Sequence, residues 1–246
     1  MTTTSINPAT TIGELVRQRP ARSRIFERLN LDYCCGGKLP LEEACAKRGL
    51  DVRNVLQRLA ESDDADSRDD GLVDPDAMGL AELADHIEQT HHAYLKQELP
   101  RLGTLVRKVA AVHGEHYPWM LEIDGVFAGF AAELESHMMK EEQILFPLIR
   151  HLDKGGERPA AGPPSVSAPI RVMEHEHDDA GRALARMSEL SGGFTPPQGA
   201  CNTFRAMLDG LAHLEQDMHQ HVHKENNVLF PKAAELEAEL TRSGDA

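Results

Sequence analysis

Aromatic residues, a cationic surplus and long apolar runs are all scarce in this chain. One Trp and three Tyr occur in 246 residues, against 41% hydrophobic residues, so an aliphatic and methionine-rich interior is expected, as in helical bundles. The net charge is −14, which speaks against nucleic acid or an anionic membrane as the main partner, because both need a basic face. No stretch approaches the roughly 18 apolar residues of a membrane span. The segment from Met1 to Pro8 has neither the basic start nor the apolar stretch of a secretory signal, so a cytoplasmic location is expected. Four cysteines, two of them adjacent, do not make a secreted disulfide framework. The length suits one sizeable bundle and a smaller domain.

What is present is a repeat. The segment His137-Met-Met-Lys-Glu141-Glu-Gln-Ile-Leu-Phe-Pro147 returns 84 positions later as His221-Val-His-Lys-Glu225-Asn-Asn-Val-Leu-Phe-Pro231, with six identities. Each His is followed by Glu at i+4, which places imidazole and carboxylate on one helix face, about 6 Å apart at Cβ. Such pairs also occur by chance on solvated faces, so the surrounding apolar pattern must decide.

Steps of three and four from Ile123 give Ile123, Phe127, Phe130, Leu134, His137, Glu141, Ile144 and Leu148, an apolar seam holding the pair. On the last long helix the series is Phe204, Met207, Leu211, Leu214, Met218, His221, Glu225 and Val228. A third stripe, Ile170, Met173, His177, Ala180, Leu184 and Met187, carries one His. From His92 the stripe continues through Leu95, Leu99, Leu102, Val106 and Val109, whereas from His91 it meets Tyr94, Glu98 and Arg101. His92 is therefore read as inward and His91 as outward. His86 and His175 are read as near the site without facing it, and His113, His116, His151, His213, His219 and His223 as lying off the stripes or near helix ends. His92 to His137 spans 45 residues and His177 to His221 spans 44, so the chain reads as two helical hairpins forming an antiparallel four-helix bundle.

A lone inward His is commonly an ordinary core residue. Four imidazoles and two carboxylates in apolar seams, without partners, would each cost several kcal/mol, and a metal removes that cost. His92, His137, Glu141, His177, His221 and Glu225 are the candidate ligands. If both carboxylates bridge, each of two ions has four protein ligands, and an oxo or hydroxo bridge makes five, leaving an open position. Imidazole and carboxylate without thiolate suit iron or manganese, with zinc also admissible by ligand type. Iron is favoured because an open, oxygen-bridged pair suits redox or small-ligand chemistry.

Residues 61–76 hold eight acids with little apolar content and read as a solvated linker. Taken over the whole chain, the expected division is a small helical domain at 1–62, a linker at 63–77, the bundle at 78–236 and a tail at 237–246. In the small domain Thr11 and Glu14 form a capping box, one helix closes before Gly49, and Asp51 caps another. Breaks are expected at 155–169 and 191–197, and a kink at Pro100. Asp32-Tyr-Cys34-Cys35-Gly-Gly-Lys38 is the second chemically loaded stretch. Its glycines read as a helix stop and turn, which by itself can be no more than a tight connection. The alternative is a pair of exposed thiols, activated by Lys38, that carry iron, exchange electrons or bridge to another chain. Cys45 and Cys201 read as small buried apolar residues.

The Asp-Tyr-Cys-Cys-Gly-Gly-Lys stretch, together with Ser-His-Met-Met-Lys-Glu-Glu-Gln-Ile-Leu-Phe-Pro and Glu-Asn-Asn-Val-Leu-Phe-Pro, resembles the iron–sulfur cluster repair proteins, the repair of iron centres family. The resemblance spans roughly residues 12–231. It implies an all-α, hemerythrin-like bundle behind a cysteine-containing helical domain. It further implies two non-haem iron ions on the same six side chains, with Glu141 and Glu225 bridging. The function implied is repair of clusters damaged by nitric oxide or oxidative stress, through iron supply, with Cys34 and Cys35 as relay or redox thiols. Damaged iron–sulfur proteins would be the partners, and a homodimer stays open. The same site would permit nitric oxide reduction, or reversible oxygen binding and sensing. The six-ligand count makes the pair more open than suits a reversible carrier.

Protein prepared under reducing, iron-replete conditions should carry about two iron ions per chain. His137→Ala and Glu225→Ala should each lose metal, read by elemental analysis and Mössbauer spectra, and wild type holding no more than one ion would refute the paired cage.

Overall fold

A computed structural model describes residues 6–65, 73–155 and 165–244, and every element among them is helical. Residues 66–72 of the expected linker and 156–164 of the expected break lie outside the described residues.

Four short helices come first: α1 (Ile12–Gln18), α2 (Ser23–Arg28), α3 (Leu41–Lys47) and α4 (Val52–Ala65). Local chemistry fixes their ends. Thr11 Oγ1 accepts from the Glu14 amide at 3.4 Å, and Asp51 Oδ1 accepts from the Arg53 amide at 2.9 Å. Gly49, at φ +67, closes α3 by a Schellman turn in which the Leu50 amide donates to the Cys45 carbonyl at 2.9 Å. Asn30 closes α2 in the same way at φ +52, so the helix stop expected from Gly36 and Gly37 lies earlier in the chain. Ile12, Leu15, Phe26, Tyr33, Leu41 and Leu59 form the core of this unit.

Four long helices follow. α5 joins Leu80–Ile87, Glu88–His92 and Ala93–His113; α6 joins Trp119–Lys140, Glu141–Leu145 and Phe146–Asp153. α7 is Ser167–Leu190, and α8 joins Asn202–Lys224, Glu225–Leu229 and Phe230–Gly244. α5 and α6 run antiparallel, with Asp85 meeting Arg150 and His92 meeting Glu142; His137 of α6 meets His177 of α7, and His91 of α5 meets Asp217 of α8. α8 continues past the expected tail boundary at 237, because Glu237 accepts from Ser165 Oγ and the Val166 amide at the start of α7.

The middle segments of α5, α6 and α8 are π-helical turns, each with one residue more than the α-ladder accommodates. Pro147 and Pro231, which cannot donate to the ladder, follow two of them after a single Phe. In α5 the departure from α geometry lies at Glu88–His92, and the helix runs on through Pro100. The extra residue corrects one stripe. Ile144 is 44% exposed, and the inward series passes from Glu141 to Leu145.

One apolar cluster fills the bundle from Leu95 to Ala110 and its facing residues, including Phe127, Leu184 and Phe204. A second, including Ile87, Phe146, Met173 and Phe230, fills the opposite end. The six candidate ligands lie between these two plugs.

The N-terminal unit is docked on the bundle. Asn227 Nδ2 donates to the carbonyls of Tyr33 and Cys34 at 3.3 and 3.2 Å, and Gln220 donates to Tyr33 Oη at 2.8 Å. A Cβ on Gly37 would fall 2.4 Å from Asn227 Oδ1 and 2.6 Å from the Tyr33 carbonyl, so Gly37 serves this close approach, whereas a Cβ on Gly36 would meet the Asp32 carbonyl at 2.7 Å. Gly37→Ala should therefore cost about 1–3 kcal/mol in urea unfolding, with faster proteolysis between α4 and α5. Gly125→Ala, where no neighbour lies within 4 Å, is the control; equal stability of the two variants would contradict the close seat.

Candidate metal centre

Six side chains, all buried, meet in the middle of the bundle: His92 from α5, His137 and Glu141 from α6, His177 from α7, His221 and Glu225 from α8. They form two groups that share both carboxylates. His92, Glu141, His221 and Glu225 have ligand atoms within 4.8 Å of one another, and so do His137, Glu141, His177 and Glu225. The Nε2 atoms of His92 and His137 lie 3.3 and 3.2 Å from Glu141 Oε2. Those of His177 and His221 lie 3.1 and 3.0 Å from Glu225 Oε2 and Oε1.

The rings are held from behind. His92 Nδ1 meets Glu142 Oε1, His137 Nδ1 meets Glu176 Oε2 and His177 Nδ1 meets Asn226 Oδ1, each at 2.9 Å. An Nδ1 facing an acceptor carries the proton, which leaves the Nε2 lone pair directed into the cage, as metal-ligating histidines require. The repeat supplies a second support, since Phe146 stacks on His92 at 5.6 Å and Phe230 stacks on His177 at 6.0 Å.

This donor set fits a cation. His137 Nε2 and His177 Nε2 stand 3.0 Å apart, a contact that needs either a proton or a cation between the two nitrogens. Both Glu141 oxygens, Glu225 Oε2 and His92 Nε2 are buried without hydrogen-bond partners. The electrostatics agree. Burial works to raise Glu225, yet His221 and His177 hold it well below the ordinary carboxylate range. Burial and Glu225 oppose ionisation of Glu141, which His137 and His92 nonetheless keep lowered. Against burial, Glu141 pushes His137 up to about 9. The cage thus favours two carboxylates surrounded by positive charge.

Two histidines read as peripheral are buried. His91 is 6% exposed and stacks on His221 at 5.2 Å, with its Nδ1 2.8 Å from Asp217; burial pushes it down to about 4 against the pull of Asp217. The π-turn ending at His92 brings both consecutive imidazoles against α8, which a stripe counted forward along a regular helix does not reveal. Lys224 Nζ donates to His91 and His86 at 2.7 and 3.0 Å, and burial lowers its pKa to about 8. His223 is buried against Tyr33 at 5.4 Å, in the seat of the N-terminal unit. Glu142, Glu176 and Asn226 also went unread in the sequence, although Glu142 and Asn226 are the residues that follow each repeat glutamate.

Cys34 and Cys35 sit on the face of α7. Cys35 Sγ is 3.5 Å from the His177 carbonyl, and Cys34 Sγ is 3.1 Å from Asp32 Oδ1. Asp32, Cys34 and Cys35 form a third group of possible ligands. The thiols are less open than expected: Cys34 is 5% exposed, and Lys38 is paired with Glu174 at 2.8 Å. The hydrogen bond to Cys35 and burial push the Cys34 thiol well above its ordinary value, with Asp32 adding to the rise. A cavity of about 140 Å³ lies beside both thiols and is also lined by Glu174, Asp178 and Asn226. Cys45 is buried as expected, whereas Cys201 is exposed, because it stands just ahead of α8 with His113 Nε2 3.5 Å away.

The hemerythrin HHE cation binding domain family matches residues 83–233, and a family described as a domain of unknown function, DUF542, matches residues 8–63. An iron-sulfur cluster repair protein YtfE of Pectobacterium atrosepticum is 39% identical over 227 residues, covering 90% of this chain and 95% of the relative. The protein of that name from Musicola paradisiaca is 39% identical, covering 92% and 97%. That from Escherichia coli O157:H7 is also 39% identical, covering 90% and 95%. No helix among the described residues is long and apolar enough to cross a membrane.

Anaerobic addition of ferrous ion to metal-free protein should raise Tm, by roughly 2.7 kcal/mol of stability at a hundredfold excess over Kd. The rise should vanish in His92→Ala combined with His177→Ala. Ligating imidazoles must be neutral, so the rise should shrink as pH falls from about 7.5 to about 5; an equal rise at both would contradict imidazole ligation.

Proposed function

Because the chain belongs to the iron–sulfur cluster repair family, we propose that it restores iron–sulfur clusters damaged by nitric oxide or oxidative stress, and does so by supplying ferrous iron. In this reading His92 and His221 would hold one iron, His137 and His177 the other, and Glu141 and Glu225, common to both groups, would serve each. The iron pair, when bound, supplies a store with open coordination positions, and one of its ions is the cargo. Four protein ligands per ion make ferrous iron removable without unfolding the bundle.

The observation that carries the reading is the seating of the thiol turn. Cys35 abuts the His177 carbonyl, and both thiols line a cavity with Asn226, the residue behind the His177 ring. They accept the departing ferrous ion, each losing its proton on binding, since a metal-bound thiol is deprotonated outright. The raised pKa of Cys34 keeps that thiol protonated until an ion arrives. Damaged iron–sulfur proteins in the cytoplasm are the recipients. Nitric oxide reduction or oxygen binding at the cage would need no thiols, so the docked cysteine turn favours repair.

Cys34→Ser combined with Cys35→Ser should retain its iron but reactivate a nitric-oxide-damaged [4Fe–4S] hydratase several-fold more slowly than wild type. Unchanged reactivation would refute the relay. Nitrous oxide beyond one equivalent per site, on anaerobic mixing with nitric oxide, would favour the reductase reading instead.

A further inference from the structure

The two repeats are not equivalent behind their metal-facing atoms. Glu142 and Asn226 occupy the same place 84 residues apart, as do Phe146 and Phe230. Each phenyl ring stacks on the first histidine of its own hairpin, and each polar side chain takes the Nδ1 proton of that same histidine. The acceptor on His92 is a carboxylate, flanked by Lys96 at 2.6 Å; the acceptor on His177 is a neutral amide. His137 likewise has a carboxylate, Glu176, which Lys140 pairs with. A carboxylate behind an imidazole strengthens the ring as a donor to metal, and an amide oxygen does so less. Both rings of the first hairpin are therefore carboxylate-backed and neither ring of the second is, so each ligand group pairs one strongly backed imidazole with one weaker one, and the surroundings of the weaker ring distinguish the two groups.

His221 has no Nδ1 acceptor among the described residues, but its ring is enclosed by His91 at 5.2 Å and His92 at 5.0 Å. His177 differs because its backing residue opens on the thiol cavity, with Cys35 against its own carbonyl. An ion leaving on this side meets two sulfurs; no thiol lines the wider cleft beside His91.

We propose that Asn226 is a positioning residue that keeps His177 a weak ligand, so that the ion shared by His137 and His177 is released toward Cys34 and Cys35. This rests on the repair reading above, and identifies the residue that sets the release rate. The amide orientation is required by the site, since only Oδ1 can accept from His177 Nδ1 while Nε2 faces the cage.

The test is the rate at which a bipyridyl chelator withdraws ferrous iron from the loaded full-length protein, with spectra and cluster reactivation measured on the same samples. Asn226→Asp, an isosteric change that copies the carboxylate of the first repeat, should slow withdrawal of one of the two ions about 10–100-fold. It should also alter one of the two quadrupole doublets in the ⁵⁷Fe Mössbauer spectrum. Asn226→Ala, lacking any acceptor, should hasten withdrawal. Wild-type withdrawal from Asn226→Asp, or loss of iron from it, overturns the proposal. The repair reading fails separately: if Asn226→Asp slows withdrawal while the double cysteine variant reactivates clusters normally, the asymmetry stands and the thiol relay does not.

Discussion

Six polar groups are aimed at one another inside an apolar interior, and that arrangement sets the terms for the rest of the molecule. Two fully buried carboxylates, each within 3.3 Å of imidazole nitrogens, need compensating positive charge. Positive charge between them resolves the conflict, and the bundle is built to hold the groups until it is present. Apolar plugs above and below exclude water, and phenyl rings from both repeats press two of the histidines into place. The π-turns let α6 and α8 present His and Glu at i+4 and then return the following residues to the core.

Duplication explains most of this architecture, and departures from it explain the rest. Each hairpin repeats the same framework, yet the residues behind the metal-facing atoms differ in charge. Glu142 and Glu176 back the histidines of the first hairpin, while an amide and an enclosed ring with no acceptor stand behind those of the second. The N-terminal unit sits on the weaker side. Its seat is made by Asn227, Gln220 and His223, so the second copy of the repeat both supplies candidate ligands and docks the N-terminal unit. Unequal support of this kind would make the imidazoles unequal donors toward a bound cation.

The helices, their order and the six inward groups were legible because burial imposes a 3.6-residue period that survives in the sequence. Legibility stopped where the period did. The π-turn at Glu141–Leu145 moved the seam from Ile144 to Leu145, and the one at Glu88–His92 turned His91 toward α8. Neither shift leaves a compositional mark. The double glycine was visible as a backbone feature, but the purpose of Gly37 depends on Asn227, 190 residues away in sequence. Lys38 looked like an activator of the thiols until Glu174 of another helix was seen to engage it.

By itself the sequence determined the apolar seams of the four long helices and the six polar groups set into them, since hydrophobic periodicity and residue type are local properties. Tertiary structure alone decided which imidazole is backed by which acceptor, where the thiols rest, and how the two ligand groups share their carboxylates. Those relations join atoms on different helices, and their energies depend on distances of a few ångströms that no local pattern encodes.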